Sequence, residues 1–285
     1  MHPVNQLPSP PLEDELGDVL EKALRRQHLS IEALASRSNV SVLKICDAID
    51  YRTDLTCDEL QRMAAVLDLN EVGFCALGSG HYPHPEIGAL PFSVWPLRMP
   101  HGIGVANAYL VAECGTDHAV LFDTGAGIEA LRLAWPAAIR RVDAVFLTHV
   151  EAEHTGGLCE VVEQFRVANA FLPEGASAPC GEGLSEGDRR IFGALEVTAF
   201  ATPGHAAAHS CYLVQSLAHS QAEALLVSGD LVFAGSVGGA YFCPQQLQRS
   251  LRRMLGSVPP RTVIAPGHGP MTTVENELRF NPFAV

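Results

Sequence analysis

Four short segments rich in metal-ligand residue types, each placed where an apolar strand should end, constrain this chain more than any other feature. They are LTHVEAEHTGGL at 147–158, TPGHAAAHS at 202–210, VSGDLVFAG at 227–235 and APGHG at 265–269, with LFDTG at 121–125 ahead of them. Singly each is weak: a lone GHG is usually a turn with a surface histidine, and a Ser-Gly-Asp after a strand is usually a loop start. Pro203 and Gly204 favour a loop over a helical HxxxH pair at 205 and 209. His149, Glu151, Glu153 and His154 cannot share one helix face, but a turn leaving the strand DAVFLTH can converge them, with Gly156 and Gly157 allowing tight backbone. The force lies in the set and its order.

The grammar around these segments is that of strands. PFSVWPL, NAYLVAE, HAVLFDTG, DAVFLTH, LEVTAFATPG, SCYLV, ALLVSGD and RTVIAPGHG read as strands, and helical stretches fall around 127–140, 156–166 and 244–255. Strands with interspersed helices point to layered α/β or α+β packing. The chain divides near residue 80. Residues 1–11 hold four prolines and read as a loose tail. Over 12–78 the pattern is helical: Leu16, Val19, Leu20, Ala23 and Leu24 make one apolar face, helices start at Ser30 and Ser41, and a Thr56/Glu59 capping box opens another through Leu67. Gly and Pro break every period around 79–91, which reads as a linker to a domain over 92–285.

At 285 residues and 47% hydrophobic, the chain can fill one large domain and a small one. Its formal charge of −13 favours neither a nucleic-acid surface nor an anionic membrane. The start has no apolar stretch of the signal-peptide kind, and no run approaches the ~18 residues of a spanning helix. The eight cysteines form no CxxC pair, as expected of reduced thiols in a cytoplasmic protein.

The stretch LSIEALASRSNVSVLKICDAI resembles the helix-turn-helix of Cro-type repressors, which implies a recognition helix over 41–49. Its polar residues are Ser41, Lys44 and Asp47, followed by Asp50. Residues 1–80 hold 7 Lys and Arg against 13 Asp and Glu, so few cations face phosphates. Protein contact, including a homodimer through this unit, is expected ahead of nucleic acid.

The order DTG, HxExEH, TPGH, SGD, PGHG resembles the metallo-β-lactamase superfamily over about 90–285. GDLVFAGSVGG and PGHGPMTTVENELRFNPF are similar to its glyoxalase II-like branch. The resemblance implies an αββα sandwich, α+β in class, behind a small all-α unit. It also implies a binuclear centre: His149, Glu151 and His205 on one metal, Glu153, His154 and His268 on the other, and Asp230 bridging. Asp123 is expected to support the site without binding metal; His209 joins Asp230 and Glu153 as a catalytic or pocket residue. The usual motif is HxHxDH. Glu151 replaces a histidine, as in the flavodiiron branch, and Glu153 replaces the aspartate with one more methylene. Three carboxylates among seven ligands shift preference from zinc toward iron or manganese.

The function implied is hydrolysis of a thioester or ester by a metal-bound hydroxide acting on a small-molecule substrate. Two alternatives stand beside it: a di-iron redox or oxygen-binding domain, and a metal- or ligand-responsive regulator using the helical unit. No lysine occurs after residue 80, so an anionic substrate must be met by arginine. Arg249, Arg252 and Arg253 are one such cluster, or simply the solvated face of a helix.

Overall fold

The computed structural model describes residues 10–102 and 104–285, so most of the expected tail lies outside the described residues. Five helices come first: α1 (Leu16–Gln27), α2 (Ile31–Ser38), α3 (Val42–Ile49), α4 (Cys57–Leu67) and α5 (Glu71–Gly78). Ser30, Ser41 and Thr56 cap α2, α3 and α4 through their side chains, and Thr56 with Glu59 closes the expected capping box. Each oxygen satisfies an amide that the helix start leaves unpaired. α5 was not foreseen. Its Gly73 and Gly78 weaken the helical signal, yet Gly73 is where Phe280 crosses: a Cβ there would lie 1.9 Å from the Phe280 carbonyl oxygen.

Among the described residues twelve strands follow, in two sheets. The first runs in spatial order β1 (Ser93–His101), β2 (Gly104–Ala112), β3 (His118–Phe122), β4 (Arg141–Phe146), β5 (Ala170–Pro173), β6 (Glu182–Leu184). Helices α6 (Ile128–Ala134), α7 (Ala152–Thr155) and α8 (Leu158–Phe165) connect its middle strands. The second sheet holds β7 (Arg189–Phe192), β8 (Leu195–Ala201), β9 (Ser210–Ser216), β10 (Leu225–Gly229), then α9 (Pro244–Ser257), β11 (Val263–Pro266) and β12 (Thr272–Thr273), ordered by number across the sheet. α10 (Val274–Phe280) closes the chain.

Alternation along the strands builds four layers. Tyr109, Val120, Phe122 and Phe146 of the first sheet meet Val197, Tyr212, Val214 and Leu225 of the second. Phe146 stacks on Phe122 at 5.4 Å and meets Tyr212 edge-on at 5.1 Å between ring centres. Each such ring, fully buried, contributes roughly 1.5–3 kcal/mol. The alternate residues Leu110, Leu121 and Val145 face outward under α6 and α8. On the other side Leu213, Leu226 and Ile264 face α9. Strands buried on both faces explain the near-continuous apolar runs. The architecture is the expected α+β, αββα sandwich behind a helical unit. No helix among the described residues is long and apolar enough to cross a membrane.

The segment read as a linker is packed. Tyr82 is buried, and its hydroxyl donates to Glu277 Oε1 at 2.7 Å. The helical unit shares one core with the sandwich: Val19, Leu20 and Leu67 belong to the same cluster as Leu247, Leu251 and Phe283. Polar contacts reinforce it. Lys22 donates to the Val237 carbonyl at 2.7 Å, Arg26 to Gln248 at 3.1 Å, and the Asn70 amide to the Pro282 carbonyl at 2.8 Å.

Candidate metal centre

The four sequence segments meet at one end of the sandwich, at the ends of β4, β8, β10 and β11, with LFDTG at the end of β3 beside them. His149 leaves β4. Glu151 then stands at the N-cap of α7, and its carbonyl accepts the His154 and Thr155 amides at 3.0 and 3.1 Å. The expected turn is thus a single helical turn, which brings Glu153 and His154 back toward His149. Gly156 and Gly157 serve it differently from expectation. Neither adopts positive φ; a Cβ on Gly156 would sit 2.3 Å from the Ala126 carbonyl oxygen. Close approach of the 124–127 loop, not left-handed backbone, requires glycine there. Gly267 is constrained likewise: its Cβ would fall 2.2 Å from Asp230 Oδ1.

Two donor triads result. His149, Glu151 and His205 form one, Glu153, His154 and His268 the other, and Asp230 joins His149 and His154 in a third overlapping group; within each group the donor atoms lie within 4.8 Å. His205 Nε2 is 3.1 Å from Glu151 Oε1 and 3.6 Å from Asp230 Oδ2. Asp230 Oδ1 lies 3.6 Å from His154 Nε2, and Oδ2 3.6 Å from His268 Nε2.

Every histidine of the two triads is held by its other nitrogen. His205 Nδ1 faces the Gly239 carbonyl at 2.8 Å and His268 Nδ1 the Val105 carbonyl at 3.0 Å. His154 Nδ1 reaches Asp123 Oδ2 at 3.1 Å. The Thr148 hydroxyl donates to Asp123 Oδ2 at 2.9 Å and so accepts from His149 Nδ1 at 3.0 Å. These acceptors place the proton on Nδ1 and leave Nε2 with a lone pair facing the centre. Nε2 of His149, His154 and His205 and Oδ1 of Asp230 are buried with no hydrogen-bond partner among the described residues. A buried polar atom left so costs roughly 1–3 kcal/mol. Four of them converging, with nitrogen and carboxylate donors, fit a divalent metal.

The electrostatics agree. Burial alone would raise the Asp230 carboxyl, but His154, His149, His268 and His205 hold it well below the usual carboxylate range. Burial works against charge on His154, yet its bond to Asp123 and the fields of Asp230, Asp123 and Glu153 raise it to about 9. Burial and the neighbouring His154 keep His149 neutral, well below its ordinary value. The cluster therefore wants positive charge, which a cation supplies better than one proton.

All seven sequence-predicted ligands come together, and both Glu151 and Glu153 turn inward. His209 does not face the centre. Its Nε2 accepts the Asp230 amide at 3.2 Å and its Nδ1 meets Thr202 Oγ1 at 2.8 Å. Counting it as catalytic is corrected: with both nitrogens engaged, it positions Asp230. Asp123 supports His154 and Thr148 as expected. The α9 arginines lie elsewhere: Arg252 bonds the Val285 carbonyl and Arg253 bonds Glu186 at 2.6 Å. The sequence did not reveal Glu13, whose carboxylate is 3.7 Å from His268 Nδ1, His101, whose Nε2 is 3.8 Å from Glu153, or Tyr241, whose ring is 5.3 Å from His205. Only Tyr241, an aromatic just after Gly238 and Gly239, had a local signal.

Known proteins resemble this chain in sequence and fold. The chain is 28% identical over 209 residues to the probable metallo-hydrolase YqgX of Bacillus subtilis, covering 65% of this chain and 95% of that one. It is 32% identical over 132 residues to hydroxyacylglutathione hydrolase of Salmonella typhi, a match covering 44% of this chain and 47% of that enzyme. Among solved structures, TTHA1623 in a di-iron-bound form superimposes with a TM-score of 0.51 at 31% identity, over 65% of this chain and 98% of that one. The family model of the metallo-beta-lactamase superfamily matches residues 101–268. On that match and on the two facing sheets that carry its motifs, this chain belongs to the metallo-beta-lactamase superfamily, as a hydrolase-family member whose substrate its fold leaves open.

Proposed function

We propose that the protein hydrolyses a small ester or thioester at a centre holding two divalent metal ions. The observation that carries this reading is the pair of donor triads flanking Asp230, with four buried donor atoms that no hydrogen bond satisfies. Bound there, the metals supply Lewis acidity that activates water near neutral pH and polarises the acyl oxygen. The chain's residues do the rest. His149, Glu151 and His205 would hold one ion and Glu153, His154 and His268 the other, with Asp230 lying between the two triads. Asp123 fixes the ring planes of His149, through Thr148, and of His154. His209 fixes the Asp230 backbone. The relatives named as hydrolases support the reaction class. The match to hydroxyacylglutathione hydrolase spans under half of that enzyme, so it lends no support to glutathione as the substrate's handle.

The test is metal analysis of protein purified without added metal, with turnover of an ester and thioester panel before and after chelation. Two ions per chain and chelator-sensitive turnover are expected. Fully metallated protein that turned over none of the panel would remove the proposal.

Iron is favoured over zinc by the three carboxylates, Glu151 above all, and the di-iron form of TTHA1623 supports it. A di-iron redox or oxygen-binding role follows as a second reading; visible absorbance that changes with oxygen would select it, and zinc alone from iron-replete cells would exclude it. A DNA-reading role for the helical unit has less support. Lys44 of α3 is committed to both oxygens of Glu59 at 2.7 Å, and the exposed face of α3 presents Val42, Leu43 and Asp50.

A further inference from the structure

The helical unit walls the candidate metal centre. α1 faces a cleft of about 340 Å³ whose far wall is Glu151, Glu153, His205, Asp230 and His268. The near wall is charged and comes from α1 and the residues before it: Glu13, Asp14, Asp18, Glu21, Lys22 and Arg25. Two positive charges face four negative ones. Neither cation is free. Lys22 is bonded to Asp14 and to the Val237 carbonyl, and Arg25 pairs with Glu21 at 3.3 Å. Glu13 and Asp18 have no Lys or Arg partner among the described residues: Glu13 lies 3.7 Å from His268 Nδ1, and Asp18 accepts from the Tyr51 hydroxyl at 2.6 Å. At the lip the exposed Tyr241 offers an aromatic face beside His205.

Acidic clusters are common on protein surfaces, but this one opens onto a centre. His205 Nε2 and Asp230 Oδ1, both over nine-tenths buried and without hydrogen-bond partners, line the same cleft. Three carboxylates offset most of the charge of two divalent ions, so the field along the rest of the cleft is set by α1. That field is negative, and the exposed Tyr241 ring, which lines the same cleft, offers a face to a cation. We infer that α1 and Tyr241 select esters or thioesters whose group remote from the scissile bond is an alkylammonium, and disfavour those ending in a carboxylate. This rests on the hydrolase reading and narrows its substrate class.

The test uses the full metal-loaded chain and three acetyl thioesters alike but for the thiol's far end: trimethylammonium, hydroxyl or carboxylate. Their non-hydrolysable thioether analogues are bound in parallel by calorimetry. The cationic thioester is expected to exceed the anionic one in kcat/KM by at least tenfold at low salt, with the analogues' Kd values in the same order and the gap closing as salt rises. Glu21 is half exposed, so Glu21→Lys should fold; a thermal melt checks this. It should shrink the cationic-to-anionic ratio at least threefold in both kcat/KM and Kd. Analogues that bind equally well, or an anionic preference, overturn the inference, as does a ratio unmoved in folded Glu21→Lys. Failure of all three thioesters to turn over, with the Kd order intact, would instead count against the hydrolase reading.

Discussion

Asp123 shows how one side chain can govern a site it does not touch. It sits at φ 59°, a left-handed conformation that Asp and Asn tolerate better than most residues. One oxygen takes the Thr148 amide at 2.7 Å; the other takes the Thr148 hydroxyl and the His154 ring. Asp123→Asn keeps the backbone but points an amide donor at the His154 Nδ1 proton. Metal affinity should fall about 10–100-fold, the range for lost supports of ligand histidines, read by competition with a chromophoric chelator. His209 titrates in the opposite sense from His154. Burial, and then the charge of His205, hold it down to about 3, against ~6.5 when unfolded. The unfolded chain therefore binds the extra proton, and neutral His209 gives its full stability above that value. The contribution is lost as pH falls from about 6.5 toward 3. In metal-free His209→Gln, the acid limb of stability against pH should be shallower by up to about 1.4 kcal/mol per pH unit, measured by urea melts from pH 7 to 4. An unchanged slope would show that His209 is already charged in the folded state.

Between elements, the knot around Glu277 decides how the cleft is walled. This α10 carboxylate is fully buried and accepts from five donors: Tyr82, Thr272 and Asn276 on Oε1, the Gly235 amide and Asn281 on Oε2. Burial pushes its pKa up against those bonds. The knot ties the segment after α5 and the 233–239 loop to α10, and that loop carries both Phe233 and the Gly239 carbonyl that orients His205. In Glu277→Gln, an amide must face at least two donors. A cost of about 2–4 kcal/mol follows from buried unpaired groups, seen as a lowered melting temperature. Equal stability would mean the carboxyl is protonated and already donating.

For the whole molecule, the question is whether two domains or one body unfold. The core that joins Leu20 and Leu67 to Leu247 and Phe283 is continuous. A chain beginning at residue 81 would expose the face of α9 and the C-terminal segment that α1, α4 and α5 now cover, and should be aggregation-prone. The intact, metal-loaded chain should melt once, with ellipticity and metal release falling together. Two resolved transitions would show that the helical unit is an appendage.

The order of the five motifs, read with the resemblance they carry, was enough to determine the sandwich and which side chains meet at its end, because metal chemistry restricts residue types and strand grammar restricts where loops fall. The caps of α2, α3 and α4 were legible because they are local. Three things only the tertiary structure decided. α5, with Gly73 and Gly78 in its body, forms because Phe280 needs a place to cross. Tyr82, in a stretch broken by glycine and proline, is fixed by a glutamate nearly two hundred residues away. Glu13 reaches the cleft because Asp14 and Lys22 beside it are tied to Ser236 and Val237 of a distant loop. Contacts of that separation leave no period in the sequence; their energy comes from apolar area and hydrogen bonds that exist only once the chain has closed on itself.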